Sequence, residues 1–173
     1  MHVSPLKIDS FTVTLTASHR LAFVDVTDRL IEAVERSRIE EGSVTAHCMH
    51  TTCALLLNEW EDGAHSDLLT RLDELVPSGA YYAHDDFHRR TQNLHPNEPI
   101  NGRAHVIQML LGGTSVTIPI TRGAPLLGKW QRLICLELDA PKPRTIVLQT
   151  WGLSTQEHSH EPLRVAVPLE DLL

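Results

Sequence analysis

The sequence predicts an α+β domain built on a β-sandwich of about six or more mainly antiparallel strands, with two or three helices. Three observations carry this expectation. Residues 11–17 alternate strictly between apolar side chains and threonine, as a strand buried on one face does. Residues 114–151 hold three short, branched, apolar runs separated by turn residues. The helical patterns are not regularly interleaved with these runs, so a parallel βαβ fold is not expected.

In chain order, Phe11, Val13, Leu15 and Ala17 form the inner face of the first strand. Asp25 or Thr27 can cap a helix whose apolar positions are Val26, Leu30, Ile31 and Val34, with Gly42 as its stop. Residues 43–58 read as one strand, or as two strands broken near His50. Leu68, Leu69, Leu72, Leu75 and Val76 mark a second amphipathic helix closed by Pro77. Residues 78–101 form the longest polar segment, and a loop of that length is usually disordered or functional. Asn101 then reads as an N-cap for a short buried helix ending at Gly112-Gly113. Strands follow at 114–120, 131–138 and 144–151, with Pro119 placing the first of them at an edge. The tail from 153 ends in the alternating LRVAVPL, an added edge strand or a contact with a neighbouring subunit.

The 173 residues suffice for one domain with a core. The net charge of −7 argues against nucleic-acid binding, which needs a basic footprint. No run approaches the roughly 20 apolar residues of a membrane span, and MHVSPLKIDSF lacks a secretory signal's apolar core. Cys48, Cys53 and Cys135 lie in apolar runs and read as reduced core thiols, which places the chain in the cytoplasm.

Three histidines stand out because imidazole binds transition metals and moves protons near neutral pH. His50 lies in an apolar run, His84 precedes Asp85-Asp86, and His105 opens the helix after Asn101. The ordinary alternatives are a hydrogen-bonded core histidine at His50 and a solvated loop histidine at His84. Glu59 follows three leucines, and a partly buried carboxylate there could be a general base or a metal ligand. Asn58 and Gln131 are candidate neighbours, while Arg103 at a helix N-terminus suggests an anion site. Three scattered histidines are compatible with a three-imidazole metal site with one open position. No HExxH, paired CxxC or glycine-rich phosphate loop fixes a metal or nucleotide.

Over about residues 8–152 the chain resembles the YjbQ family. The matching blocks are Cys48-Met-His50-Thr-Thr with Asn58-Glu59, Tyr82-x-His-Asp-Asp86, and Asn101-x-x-x-His105. They continue with Gly113-Thr-Ser-Val-Thr-Ile-Pro-Ile120, Leu127-Gly-Lys-Trp-Gln131 and Glu137-Leu-Asp-x-Pro141. The resemblance implies one β-sandwich domain, and residues 153–173 lie outside it as a C-terminal extension. It also implies a homotrimer, a metal held by histidines near a subunit boundary, and weak thiamine-phosphate synthase activity. Carried over, it supports His50, His84 and His105 as metal ligands, with Glu59, His50 and Asn58 as catalytic groups. Asn101, Arg103, Gln131 and Asp86 are expected to meet substrate. The chain departs from the family pattern at Trp60-Glu61-Asp62-Gly63, at Lys129 and at Glu98-Pro-Ile-Asn101.

The expected function is a metal-binding enzyme acting on a small anionic or phosphorylated metabolite. Zn²⁺ is the expected metal because imidazole suits it, with Mg²⁺ as the alternative favoured by a diphosphate. The competing expectations are a non-catalytic metal- or metabolite-binding trimer and a metal-dependent hydrolase.

Overall fold

The computed structural model describes residues 6–154. Eight strands form two sheets, and every strand pairing is antiparallel. The strands are β1 (Leu6–Leu15), β2 (Phe23–Asp25), β3 (Ile39–Cys48), β4 (Cys53–Glu59), β5 (Ser115–Thr121), β6 (Ala124–Pro125), β7 (Gln131–Glu137) and β8 (Arg144–Ser154). The helices are α1 (Thr27–Ser37), α2 (Asp62–Leu75) and α3 (Gly102–Leu111). One sheet has the order β1-β8-β3-β5-β6 and the other β2-β7-β4.

The main core fills the space between the sheets. It joins Val13, Val44, Ile118 and Ile146 of the large sheet to Leu55 and Leu133 of the small one, with Leu30 and Val34 of α1. A second cluster packs Leu72 and Ile107, from α2 and α3, on the opposite face of the small sheet. Residue parity divides β4 and β7 between the two: Leu55, Leu133 and Cys135 face the first cluster, Ala54 and Leu136 the second. Burial on both faces explains why β7 reads as a continuous apolar run, while β1, solvated on one side, alternates.

Several expectations need correction. Helix α1 stops at Arg38, whose left-handed backbone (φ 55°) ends it, and Gly42 lies within β3. A Cβ on Gly42 would come within 2.1 Å of Trp151 O, so glycine there answers to the close approach of β8. Residues 43–58 form two strands in different sheets, broken at 49–52, which is the second of the two alternatives that the sequence left open. Helix α2 buries only Leu72, and Leu75 is 73% exposed. Glu61 caps α2 by accepting from Gly63 N and Ala64 N at 2.8 and 2.7 Å. The short β2 and β6 gave no periodic signal, and β6 covers only Ile120 and Thr121, which leaves Pro119 near the open edge. Gly112-Gly113 does end α3, Gly112 in the left-handed region at φ 65°. Of the tail, β8 extends to Ser154, and the LRVAVPL segment lies outside the described residues.

Candidate functional site

Two of the crossings between the sheets, 49–52 and 138–143, lie together at one end of the sandwich. Burial there must satisfy the polar groups that the crossings expose. Arg144 and Glu137, both fully buried, form a two-pronged ion pair, Nε to Oε2 at 2.7 Å and Nη2 to Oε1. The same Nη2 donates to Thr52 O and Oγ1, which pins the 49–52 turn. His50 sits in that turn, and its Nε2 accepts from Thr145 N at 2.9 Å, so its ring proton is on Nδ1. Burial, then the charges of Arg144 and Lys142, hold His50 below the usual imidazole range, against a smaller opposing effect of Glu137.

His84 and His105 do come together. Their ring centroids are 4.4 Å apart and tilted by 51°. His105 occupies the first turn of α3, and His84 a single 3₁₀ turn at Ala83–Asp85. Burial depresses the His105 pKa first, and His84, Arg90 and Lys142 depress it further against the opposing charge of Asp139. Arg90 Nη1 lies 3.1 Å from His84 Nε2, and since arginine only donates, that nitrogen accepts. Arg90 also bonds Glu98 Oε1 and the carbonyls of His84, Gln92 and Asn93, so one guanidinium ties the polar segment together.

Asp85 caps α3: its Oδ1 accepts from Asn101 N at 3.0 Å and Gly102 N at 2.8 Å. Asn101 is the boundary residue, yet its side chain turns away and Nδ2 donates to Asp139 Oδ2 at 2.9 Å. Asp139 is buried and also accepts from Lys142 Nζ at 2.6 Å. Burial alone would raise its pKa, but the Asn101 and Lys142 hydrogen bonds outweigh it and keep the carboxylate ionised. The anion site expected at this helix N-terminus is therefore filled by the protein's own Asp85. Arg103 has partners as well, with Nε on Val76 O and Nη2 on Asp73 Oδ1.

Beside the start of α3 opens a cleft of about 490 Å³, lined among others by Tyr81, Tyr82, Asp86, Phe87, Asn101 and Arg103. Asp86 Oδ2 accepts from Tyr81 OH at 2.8 Å.

The remaining candidates lie elsewhere. Glu59 pairs with Gln131 at the far end of the β4–β7 ladder, six pairs from Cys53–Glu137. At about 3.3 Å per residue that is about 20 Å away. Glu59 is exposed, not partly buried as its sequence context suggests. Asn58 Oδ1 accepts from Glu59 N, and Gln131 Oε1 closes a turn by accepting from Gly128 N.

A family model described as UPF0047 protein YjbQ-like matches residues 11–153. The chain belongs to the YjbQ-like family. A UPF0047 protein of Archaeoglobus fulgidus is 35% identical over 137 residues, which is 79% of this chain and 97% of the relative. One from Methanothermobacter thermautotrophicus is 32% identical over 138 residues, 80% of this chain and 88% of the relative. Among solved structures, a YbjQ-like protein of unknown function from Sulfolobus solfataricus superposes with a TM-score of 0.75 at 26% identity. That match covers 86% of this chain and 99% of the other. A hypothetical protein from Aeropyrum pernix gives 0.71 at 28% identity, covering 83% and 98%.

The YjbQ-like span contains every candidate residue, but one subunit divides them. Among the described residues no three His, Cys, Asp or Glu side chains gather to hold a metal ion. His50 and His84 each have Nε2 engaged by a donor, so the three-imidazole set does not fit a metal within the described subunit. Cys48, Cys53 and Cys135 are buried free thiols. Cys53 is pushed up to about 12, first by its hydrogen bond to Cys135 and also by burial, as suits inert core sulfur. Sequence reasoning missed Arg90, Asp139, Lys142 and the Glu137–Arg144 pair. Glu137 and Asp139 stood in the matched Glu-Leu-Asp-x-Pro block, where an ionisable residue beside an apolar strand was the available signal. No helix among the described residues is long and apolar enough to cross a membrane.

Proposed function

We propose that this YjbQ-like chain is an enzyme acting on a small anionic metabolite, with His84 and His105 as its reactive groups. The observation that carries the reading is the close approach of these two imidazoles, with Arg90 Nη1 3.1 Å from His84 Nε2. Imidazoles at that position can donate to or accept from the bound anion. The adjoining cleft, with Asn101 and Asp86, would take the body of the substrate. No step of this chemistry is routed through a metal: Nε2 of His50 and of His84 already accept from Thr145 N and from Arg90.

Glu59, Asn58 and Gln131 stand outside this centre in the subunit. The homotrimer implied by the family resemblance offers a way for them to reach a neighbour's imidazole pair. Thiamine-phosphate synthesis belongs among the reactions to be tried, together with phosphorylated and carboxylated metabolites more widely.

The test is a turnover screen of such metabolites with wild type, His84→Ala and His105→Ala. Loss of proton-transfer or anion-stabilising imidazole should lower kcat/KM by about 10²–10⁴-fold. Turnover that survives both substitutions unchanged would refute the assignment. Binding without turnover in the wild type would favour the non-catalytic metabolite-binding reading.

A further inference from the structure

We propose that the cleft beside α3 binds an aromatic carboxamide, whose N–H donates to Asn101 Oδ1 and whose ring lies among Tyr81, Phe87 and Ile100. This names the ligand class of the cleft assigned above to the substrate; it rests on that reading for turnover of the ligand, not for its binding.

The volume of about 490 Å³ suits a small molecule. The floor is built from the buried lining residues Leu138, Ala104 and Asn101, and the rim from the exposed Tyr81, Phe87 and Ile100. Large apolar side chains exposed together around a concavity mark a binding surface. Both tyrosine hydroxyls are held by the protein, Tyr81 by Asp86 Oδ2 and Tyr82 by Pro77 O, so the rings are positioned before a ligand arrives.

The polar requirement comes from Asn101, which is 8% exposed. The Asp139 carboxylate accepts only, so it fixes which end of the Asn101 amide is Nδ2. Oδ1 is then a buried acceptor with no hydrogen-bond partner among the described residues. Buried polar atoms are almost always paired, so this one calls for a donor. A ligand carboxylate would set acceptor against acceptor there, next to the carboxylates of Asp85 and Asp86. An amide N–H meets the need. Its carbonyl has Arg20 to accept from, a lining cation no closer than 3.8 Å to its nearest charge partner, Asp139.

Benzamide and benzoate test this, because they share a ring and differ in whether the polar end donates. In ¹H–¹⁵N spectra of the full chain, benzamide should shift the Asn101 side-chain amide and residues 80–88 saturably. Benzoate should bind at least tenfold more weakly. Asn101→Ala should remove that preference. Because Asn101→Ala also loosens Asp139, Ile100→Ser serves as the second variant; it should weaken benzamide without lowering the melting temperature. Benzamide binding that persists in His105→Ala supports the cleft assignment even where no metabolite is turned over, so the two readings fail separately. Equal affinity for the two probes, or benzamide shifts lying outside the cleft, would overturn the proposal.

Discussion

The two ends of the β4–β7 ladder carry similar side chains and use them differently. At the end where β3–β4 and β7–β8 cross between sheets, Glu137 is buried against Arg144. At the other, Glu59 faces Gln131 in solvent, and the neighbouring Arg132 lies 3.9 Å from Asp25. The difference is not one of composition. It follows from which turns are buried: the β3–β4 and β7–β8 crossings put Thr52 and Asp139 inside, where they need charged partners, whereas Gly128–Trp130 of the β6–β7 crossing at the other end are exposed. The same crossing carries His50 and adjoins Asp139, so the closed end is both the rigid end and the chemically equipped one.

The largest effect should come from breaking the buried pair. Glu137→Gln or Arg144→Met leaves a buried charge without its partner, and each should cost about 3–5 kcal/mol in urea unfolding. The double variant Glu137→Leu/Arg144→Met removes both charges and should cost far less than either single change. A double variant as damaged as the sum of the singles would show that the two side chains act independently and not through their pairing. Thr52 and its turn report the consequence for the site, because Arg144 holds both of its oxygens.

This contrast also shows what a sequence can reveal. Alternation in 11–17 and the α3 pattern ending at Gly112-Gly113 were legible because each is a local, periodic match between side chain and environment. The break near His50 was visible as a polar interruption of an apolar run. Gly42 was misread as a helix stop, because its cause, the backbone of β8, lies more than a hundred residues away. The same holds for Glu59 and Glu137. Both sit beside apolar runs, and only the register places one in solvent and the other in the core. His84 and His105 were legible as chemically unusual residues, whereas Arg90 and Lys142 lie in no periodic or motif pattern and take their roles from the partners the fold supplies.

Next in size are the helix caps, which repeat the comparison on a smaller scale. Asp85 caps α3 from a partly buried position, and Glu61 caps α2 from an exposed one. Asp85→Ala should cost about 1–2 kcal/mol, and Glu61→Ala less. Thermal melts of the two variants check the order. Asp85→Ala should additionally broaden the His84 and His105 ring signals, since the cap joins their two segments.

A smaller, graded effect is expected with pH. His50 and His105 are held below the usual imidazole range in the fold, first by burial. In the unfolded chain they return to about 6.5. As pH falls through that value the unfolded chain takes up protons that the folded chain resists. The stabilisation present above pH 6.5 is therefore lost toward the lower folded values. Urea midpoints should fall between about pH 7.5 and 5.5, and His50→Gln/His105→Gln should flatten the slope. A slope of the opposite sign would mean that these imidazoles are protonated in the fold.

The smallest change in stability is expected at the open end. Glu59 is exposed, and no side chain within its subunit forms an ion pair with it at 4.0 Å or less among the described pairs, so Glu59→Ala should shift stability by no more than about 0.5 kcal/mol. Its effect on turnover separates two pictures. If the reactive centre lies wholly within one subunit, Glu59→Gln leaves kcat/KM unchanged, since about 20 Å separates it from the closed end. If neighbouring copies share the site, Glu59→Gln lowers turnover, and co-assembly with an inactive His105→Ala partner restores part of it. Restoration requires the two defects to lie on different chains of one site, so a mixed assembly that stays inactive argues that Glu59 acts, if at all, from within its own subunit.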